Sequence, residues 1–382
     1  MSLDDDARDE LCALADVHRL RVPRVVDGRQ GVRVVVDGAE VTSFASNDYL
    51  GLAGDDRLAH AAIEAIEHGG TGVGASRLIV GNHRAHVELE AAVMDWLGVD
   101  GVRLFNSGYA ANTGVLTTLL REGDVVFSDE LNHASIVDGC RLSRATIAIY
   151  RHRDLADLER AMKQHGGRRR IVVSETVFSM DGDVVDVEAL AAVTKRSGAS
   201  LILDEAHAMG VLGIEGRGVA AACRDVDVVI GTFGKALGSF GAFAATTKAI
   251  AELLWNRARS LVFSTGLPPS VAAASKRAIE IVRSAEGDER RAKLSAITRQ
   301  FRAQVPRAGG SANVPIASWV IGDDRGVEEI GRALLREGLL VASVRPPTVP
   351  VGTARLRISF SAGHEPSEIE DLTTITQRVI YG

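Results

Sequence analysis

The chain has 382 residues, of which 46% are hydrophobic and 25% are charged. This composition is typical of a globular protein with a large core, and it excludes disorder as the main state. Acidic residues outnumber lysine and arginine by 50 to 44, and the formal net charge of −6 disfavours a general nucleic-acid or anionic-membrane binder. At this length we expect about two domains.

The sequence predicts neither a membrane span nor a secretion signal. No apolar run approaches the ~20 residues that cross a bilayer. The acidic start MSLDDDARDE lacks the basic and then apolar pattern of a signal peptide. Cys12, Cys140 and Cys223 form no CxxC pair, so we expect neither a disulfide framework nor a metal site. These features favour a cytoplasmic location.

Residues 1–45 are predicted to form an N-terminal helix and hairpin segment. A short amphipathic helix is expected over 5–20, and a β-hairpin is expected over 32–45. The Asp37-Gly38 pair supplies the turn of this hairpin, because both turn positions need a backbone that few other residues adopt easily.

Residues 46–268 are predicted to form a large α/β domain. Short apolar runs alternate there with helix-like stretches, and the runs are apolar on both faces. This pattern is typical of a mostly parallel sheet that helices cover on both sides. The predicted strands are 125–128, 146–150, 171–175, 201–205 and 227–231.

Residues 269–382 are predicted to form a smaller C-terminal α+β domain. The break LPPS precedes a long helical pattern, and strand-like runs alternate with helices after it. The predicted helices are 270–285, 288–304 and 325–337, and the predicted strands are 316–321 and 356–360.

Polar side chains directly follow several strands of the large domain. Ligands bind at the carboxyl ends of strands in open α/β sheets, so these side chains are expected to meet in one crevice. The predicted crevice holds His133, Ser179, Asp204, His207, Thr232 and Lys235.

This set of residues predicts a site for pyridoxal phosphate. Lys235 stands between the small residues Gly234 and Ala236 at the mouth of an apolar sheet, where desolvation favours the neutral, nucleophilic amine. Such a lysine forms a Schiff base with an aldehyde, and an acid such as Asp204 on a neighbouring strand serves as counter-ion to a pyridinium nitrogen.

The phosphate of this cofactor needs a separate anion site. The segment FNSGYAANTGV, residues 105–115, is a glycine-containing turn that opens into a helix. The amides of Gly108 and Tyr109 and the helix dipole suit a phosphate, and the Thr232 hydroxyl is expected to add a donor.

Each residue of the crevice also has a purely structural interpretation. Lys235 alone is typical of a surface lysine, Asp204 of a helix cap, and single histidines of packed structural residues. The letters DEAH at 204–207 also occur in helicases, but the chain has no GxxxxGK[ST] loop. GGTGVG at 69–74 lacks the spacing and the preceding strand of a nicotinamide site. The joint occurrence of the strand-end residues therefore favours the cofactor site.

Eight segments, in order along nearly the whole chain, resemble the α-oxoamine synthases. This resemblance implies a fold-type-I pyridoxal phosphate transferase, with a mostly parallel central sheet in a large domain and a smaller α+β C-terminal domain. It also implies an acyltransferase that condenses an amino acid with an acyl thioester and releases CO2. The segments are SNDYLGL (46–52), TGVGASRLIVGNHRAHVELE (71–90), FNSGYAAN (105–112), LNHASIVDG (131–139), ETVFSMDGD (175–183), LDEAHAMG (203–210), TFGKALG (232–238) and RPPTVPVGTARLRISFSAGH (345–364).

The last of these segments is similar to one branch of the family. RPPTVPVGTARLR resembles the enzymes of biotin synthesis that condense L-alanine with a pimeloyl thioester of coenzyme A or an acyl-carrier protein. The alternative is another branch, such as the glycine-using 2-amino-3-oxobutyrate CoA ligase. The sequence determines neither the acyl chain length nor the thioester carrier.

The resemblance implies a role for each matching cofactor residue. Lys235 would bind the cofactor aldehyde, Asp204 the ring nitrogen, and His207 and Ser179 the ring hydroxyl, while His133 would stack on the ring and act as acid or base. The residues implied to hold the phosphate are Gly108, Tyr109 and Thr232, with Ser264 and Thr265 reaching it from the partner subunit of a homodimer.

The resemblance also implies a set of substrate residues. Arg357 would clamp the amino-acid carboxylate, a task that suits a planar guanidinium. We expect its neighbour Arg355 to face the other way if 354–360 is a strand. The acyl pocket would contain Asn47, Thr348 and an N-terminal arginine, for which spacing to Pro23 favours Arg19 over Arg21.

Overall fold

A computed structural model of the chain describes residues 2–381 and divides them into two compact units. The larger unit comprises Leu50–Ser179 and Asp183–Arg291. The smaller unit comprises the residues up to Tyr49, the segment Met180–Gly182 and the residues from Ala292 onward.

Helices and strands alternate strictly from Gly101 to Asp204, and runs of successive helices or successive strands occur on either side of that stretch. The helices are α1 Leu3–Asp16, α2 Asp56–Gly69, α3 Arg84–Leu97, α4 Gly108–Leu119, α5 Ala134–Ser143, α6 Leu155–Gln164, α7 Val187–Arg196, α8 Lys248–Arg257, α9 Arg259–Val262, α10 Pro269–Val282, α11 Ala285–Gln304, α12 Asp324–Arg336 and α13 Pro366–Tyr381. The strands are β1 Val26–Asp27, β2 Arg33–Val36, β3 Ala39–Ser43, β4 Gly101–Phe105, β5 Val125–Asp129, β6 Thr146–Tyr150, β7 Arg170–Glu175, β8 Ser200–Asp204, β9 Val228–Thr232, β10 Ala242–Thr246, β11 Ile316–Gly322, β12 Leu339–Leu340, β13 Ala342–Val344 and β14 Ala354–Ser359.

The units differ from the predicted division of the chain, which placed boundaries after residues 45 and 268. The hairpin segment belongs to the same unit as the C-terminal residues, because β12 pairs with β3. Residues up to Arg291 belong to the larger unit, because α10 packs along α2 and α3. These are contacts between distant parts of the chain, which local sequence patterns do not report.

A seven-stranded sheet forms the centre of the larger unit, with the order β4-β10-β9-β8-β7-β5-β6. The strands from β9 to β6 are parallel, and β10 runs antiparallel to both of its neighbours. All five predicted strands are confirmed, and with them the mostly parallel α/β architecture. The sequence did not predict β4 and β10, whose GVRLF and AFAAT segments contain few β-branched residues.

Helices cover both faces of this sheet. Val126, Val173 and Ile202 are buried in a core with residues of α4, α5 and α8. Phe127 and Val172 alternate with them and are buried with residues of α6 and α7 on the opposite face. Burial on both faces explains why the strands are continuous apolar runs, and it leaves the polar residues at the strand ends.

The smaller unit contains two small sheets, with the orders β1-β2-β3-β12 and β11-β14-β13. The predicted hairpin is confirmed, and Asp37 and Gly38 have φ values of 51° and 85° in its turn. The predicted N-terminal helix ends at Asp16 rather than at residue 20, and His18 beyond it has a φ of 56°. Within residues 2–381 no helix combines the length and the apolar composition of a membrane span.

Candidate active site

The carboxyl ends of the parallel strands place the predicted cofactor residues in the larger unit. Asp204 is the last residue of β8, Thr232 is the last residue of β9, and Lys235 follows β9 after a short turn. Because β8 and β9 are adjacent and parallel, the residues that follow them emerge at the same edge of the sheet.

Asp204 is a buried carboxylate held on both sides by hydrogen bonds. Its Oδ1 accepts the backbone N–H of Ala206 at 2.8 Å, and its Oδ2 accepts the side-chain amide of Asn112 at 2.7 Å. Asn112 also donates to Ser135 Oγ at 2.9 Å, and this hydroxyl lies 2.8 Å from His133 Nδ1. A continuous chain of hydrogen bonds therefore joins the carboxylate to the imidazole.

Sequence reasoning missed Asn112 and Ser135 as members of this chain. Asn112 is 92 residues from Asp204 in the sequence, so no local spacing predicts their contact. The available signal was that Asn112 is an amide at a buried position of the apolar helix α4, where an amide needs a hydrogen-bonding partner.

Lys235 and His207 are in direct contact. Lys235 Nζ lies 2.8 Å from His207 Nε2, and the imidazole is buried while the lysine is half-buried. The two residues follow adjacent strands, which explains how the chain brings them together. The pair gives the amine a neighbour with which it can share a proton.

His133 caps α5 at the same edge of the sheet. The residue as a whole is exposed, but the protein atoms packed around its ring disfavour the charged form and lower the pKa of the imidazole. Its backbone N–H donates to Glu175 Oε1 at 2.7 Å. Glu175 is fully buried at the end of β7, and burial, with Asp204 nearby, raises the pKa of its carboxyl. The sequence did not assign Glu175 a role.

The first turn of α4 provides the predicted phosphate site. Ser107 caps the helix by accepting the N–H of Ala110 at 3.1 Å, and the N–H groups of Gly108 and Tyr109 have no preceding helical carbonyl to bond. Within residues 2–381, no atom beyond the adjoining backbone lies within 4 Å of where a Cβ on Gly108 would stand, so an anion has access to the backbone. The Tyr109 hydroxyl instead donates to Asp138 at 2.7 Å, which leaves only the amide of Tyr109 for this task.

The remaining predicted phosphate residues lie nearby in the larger unit. Thr232 Oγ1 donates to the carbonyl of Gly241 at 2.9 Å and accepts the N–H of Gly234 at 3.1 Å. Ser264 Oγ accepts the side-chain amide of Asn106, just before α4, at 2.8 Å. The neighbouring Thr265 is exposed.

Ser179, which the resemblance assigns to the ring hydroxyl, is half-buried in the loop after β7.

The donor set of the larger unit fits pyridoxal phosphate. Lys235 offers an amine for the aldehyde, the oriented carboxylate of Asp204 suits a protonated ring nitrogen, and the start of α4 suits a phosphate. Asn112 Oδ1 is a buried oxygen without a hydrogen-bonding partner within residues 2–381, which is the kind of polar atom found at functional sites.

The smaller unit contains the predicted substrate residues. Arg357 is buried on β14, and its guanidinium donates to Ser359 Oγ at 2.8 Å, to Asn47 Oδ1 at 3.0 Å and to the Tyr49 hydroxyl at 3.3 Å. The next guanidinium along the strand, that of Arg355, instead forms an ion pair with Asp181. The two arginines have different partners, but the prediction that Arg355 faces the other way is wrong, because side chains two residues apart on β14 lie on the same face of the strand.

The structure distinguishes between the two N-terminal arginines. Arg19 Nε lies 2.7 Å from Asp324 Oδ2, so an ion pair engages its charge. Arg21 is exposed, and its Nη2 lies 3.4 Å from the carbonyl of Pro346 and 3.5 Å from Thr348 Oγ1. The spacing to Pro23 favours Arg19, but in the structure Arg21 lies beside Thr348, beyond a turn with positive φ at His18.

Comparison with known proteins identifies the family. A model of the aminotransferase class I and II family matches residues 39–374. The chain belongs to the aminotransferase class I and II family. An 8-amino-7-oxononanoate synthase of Geobacter sulfurreducens is 45% identical over 377 residues, which cover 97% of this chain and 96% of that protein.

Solved structures of the same fold agree with this membership. A high-resolution structure of SPT with PLP internal aldimine has a TM-score of 0.92 at 32% identity and covers 98% of this chain and 96% of that one. An 8-amino-7-oxononanoate synthase from Francisella tularensis has a TM-score of 0.77 at 28% identity, covering 89% and 98% of the two chains. The predicted fold-type-I architecture, the dependence on pyridoxal phosphate and the resemblance to α-oxoamine synthases are confirmed.

Proposed function

We propose that the protein condenses L-alanine with a pimeloyl thioester in biotin biosynthesis. The products are 8-amino-7-oxononanoate, CO2 and the free thiol of the carrier, so all atoms of both substrates are accounted for. Relatives of that name that are about 45% identical over nearly the full chain support this reaction. The observation that carries the proposal is the contact of Lys235 with His207. It lies beside the carboxylate of Asp204, which accepts a hydrogen bond from Asn112.

The residues of the larger unit are assigned to the chemistry at the α-carbon. Bound pyridoxal phosphate supplies an electron sink that allows the α-carbon of the amino acid to lose a proton. Lys235 Nζ holds the cofactor between turnovers, and during turnover it accepts that proton. His207 Nε2, 2.8 Å away, accepts or returns a proton at the same amine.

The chain from Asp204 to His133 is assigned to charge and orientation. Asp204 stabilises positive charge at the ring nitrogen, and Asn112 keeps one carboxylate oxygen aimed by its 2.7 Å hydrogen bond. The lowered pKa of His133 keeps its imidazole neutral near pH 7, so it can stack on the ring and accept or donate a proton during condensation.

Arg357 and Arg21 are assigned to the two substrates. Arg357 binds the carboxylate of the amino acid, since its hydrogen bonds to Asn47, Tyr49 and Ser359 fix the guanidinium plane. Arg21, with Thr348 beside it, is assigned to the acyl substrate in place of Arg19, whose charge Asp324 engages.

We assign Ser264 and Thr265 to the binding of the cofactor phosphate in the active site of a second subunit. This assignment makes the active form a homodimer and rests on the family motif. Exposed apolar side chains near these residues support it, because Phe263 is 73% exposed and Ile79 and Val80 are 75% and 77% exposed in the single chain.

The visible spectrum of the holoenzyme tests the proposed function. L-alanine, glycine and L-serine are added in separate titrations. We expect L-alanine to change the spectrum at a lower concentration than glycine or L-serine. Product is then measured with pimeloyl-coenzyme A and with pimeloyl acyl-carrier protein. A tighter response to glycine would move the protein to the glycine-using branch, and absence of product with either thioester would refute the pimeloyl assignment.

A further inference from the structure

His152 lies beside the proposed active site and has no role in the assignments above. Its Nδ1 is 2.9 Å from Asp129 Oδ1, and its Nε2 is 2.7 Å from Asp183 Oδ2. The ring packs edge-on against Phe178 with the ring centroids 4.4 Å apart. The side chain is only 21% exposed, so these contacts are partly shielded from water.

Both carboxylates belong to loops that carry proposed cofactor residues. Asp129 ends β5, and its Oδ1 also accepts a backbone N–H in the turn that leads to His133. Asp183 closes the loop after β7, since its carbonyl accepts the N–H of Phe178 at 3.1 Å. Ser179 lies inside that closed loop. One imidazole therefore connects the loop of His133 to the loop of Ser179.

With both carboxyls ionised, the two contacts favour a doubly protonated ring. A neutral imidazole has one N–H, so one of the two carboxylates would face a lone pair at hydrogen-bonding distance. The imidazolium donates to both. Burial opposes this charge, but the hydrogen bonds to Asp129 and Asp183 outweigh it and raise the pKa of His152 to about 9.

Two other charged groups face this cluster. Arg153 Nη1 donates to Asp183 Oδ2 at 3.0 Å, and Glu130 Oε1 accepts the backbone N–H of His152 at 2.8 Å. Arg153 also spans the two loops, because its backbone N–H donates to Asp129 Oδ2 at 2.9 Å while its side chain donates to Asp183 Oδ2. His152 differs from it in that a single side chain contacts both carboxylates.

We infer that His152 is a positioning residue, which bridges Asp129 and Asp183 as an imidazolium and so fixes the two loops that present His133 and Ser179 to the cofactor. The inference rests on the proposed function only in that these two residues serve the cofactor. In this inference His152 acts through the two loops and not directly on the cofactor or the substrate.

The test compares three variants of the holoenzyme. His152→Gln removes the second donor and the charge, Asp183→Asn removes one carboxylate at constant size, and His60→Gln changes an exposed histidine as a control. The measurements are the dissociation constant of pyridoxal phosphate and the exchange of the L-alanine α-proton in D2O, which needs no thioester. We expect His152→Gln to slow exchange about tenfold or more, since small misplacements of catalytic groups have large effects. We expect the KM for alanine to change little and His60→Gln to match the wild type.

The protonation of His152 is followed separately by NMR of its ring nitrogens. In the wild type we expect both N–H groups at pH 7 and a midpoint near 9. Loss of one carboxylate in Asp183→Asn is expected to lower that midpoint by about one unit or more. The contribution of this bridge to stability is full below the ordinary histidine pKa of about 6.5. It is lost as pH rises through the raised pKa of His152, about 9. The wild type should therefore lose exchange activity over that range more steeply than His152→Gln.

Two results would overturn the inference. One is a His152 ring that titrates near its ordinary value of about 6.5 in the holoenzyme. The other is a folded His152→Gln variant that binds the cofactor and exchanges the α-proton like His60→Gln. If His152→Gln does not fold, the same comparison is made with Asp183→Asn. If the His152 variants behave as expected in α-proton exchange but no pimeloyl thioester gives product, the proposed function would be refuted. The inference about His152 would then still stand.

Discussion

Single hydrogen bonds decide the orientation of the groups assigned to the cofactor. Asp204 receives one N–H from its own turn and one from Asn112, so a carboxylate that could rotate is fixed in one plane. The contact between Lys235 and His207 similarly gives the amine a defined neighbour. Fixed donors and acceptors of this kind need no reorganisation during the reaction, which makes them effective.

Replacing Asp204 by asparagine should separate folding from catalysis. The side chain keeps its size, so the melting temperature should stay close to that of the wild type, whereas loss of the charge at the ring nitrogen should lower kcat by about 10²-fold or more. Asn112→Ala should lower kcat less, because the carboxylate remains but is less well oriented. Thermal unfolding and steady-state kinetics measure both effects, with the exposed Asp100→Asn as control. Wild-type turnover in Asp204→Asn would disprove the assignment.

Replacing Arg357 by alanine should chiefly weaken binding of the amino acid. Loss of a charge-assisted set of hydrogen bonds is expected to reduce the binding free energy by about 1.5–3 kcal/mol. The dissociation constant of L-alanine, measured by spectral titration of the folded holoenzyme, provides the test. Arg325→Ala, which removes a surface ion pair with Glu329, is the control. Equal affinities in the two variants would place the carboxylate site elsewhere.

The strands set the positions of these residues through tight packing. Gly231 is the residue before Thr232 in β9, and a Cβ at this position would lie 2.2 Å from Cζ of the buried Phe243 on β10. The adjacent strands can therefore pair closely only because residue 231 has no side chain. The end of β9, from which Lys235 follows, depends on this packing.

Gly231→Ala should consequently destabilise the protein and weaken cofactor binding. Forcing a methyl group into a packed core is expected to cost about 1–3 kcal/mol. Gly166→Ala is the matched control, because no described atom beyond its chain neighbours lies within 4 Å of its Cβ position. We expect a change below about 0.5 kcal/mol there. Urea unfolding and titration with pyridoxal phosphate measure both variants. Equal stability would show that Phe243 moves aside without cost.

At the level of the whole molecule, a network of charges links helices that are distant in the sequence. Arg57 at the start of α2 lies 2.7 Å from both Asp55 and Glu286, and Arg290 on α11 contacts the same two carboxylates. Hydrogen bonds from Arg57 lower the pKa of Asp55 to about 2, and hydrogen bonds from Arg57 and Arg290 lower the pKa of Glu286 to about 2.

This network predicts a specific dependence of stability on acid. Carboxyls with lowered pKa stabilise the folded state fully above their unfolded pKa of about 4, and that contribution is lost as pH falls towards the folded value. Arg57→Gln should therefore show a shallower fall of the melting temperature between about pH 6 and pH 3 than the wild type. Arg8→Gln, which removes an ion pair exposed on both sides, should behave like the wild type. Identical acid profiles for all three proteins would contradict the role of the network.

Local patterns in the sequence determined the elements and the chemistry. Runs that are apolar on both faces predicted five of the central strands, Asp37-Gly38 predicted the hairpin turn, and the strand ends predicted Asp204, Thr232 and Lys235. These features are visible because they depend on neighbouring residues and on the regular geometry of parallel sheets.

Only the tertiary structure decided which of these residues touch. Asn112 and Asp204 are 92 residues apart, and Arg21 and Thr348 are 327 residues apart. Their contacts depend on how separate elements pack, which no spacing in the sequence encodes. The same holds for His152, which connects Asp129 with Asp183, and for the unit boundaries, which follow the pairing of β3 with β12. The sequence determined the kind of chemistry because reactive groups are local, and the structure decided their orientation because packing is long-range.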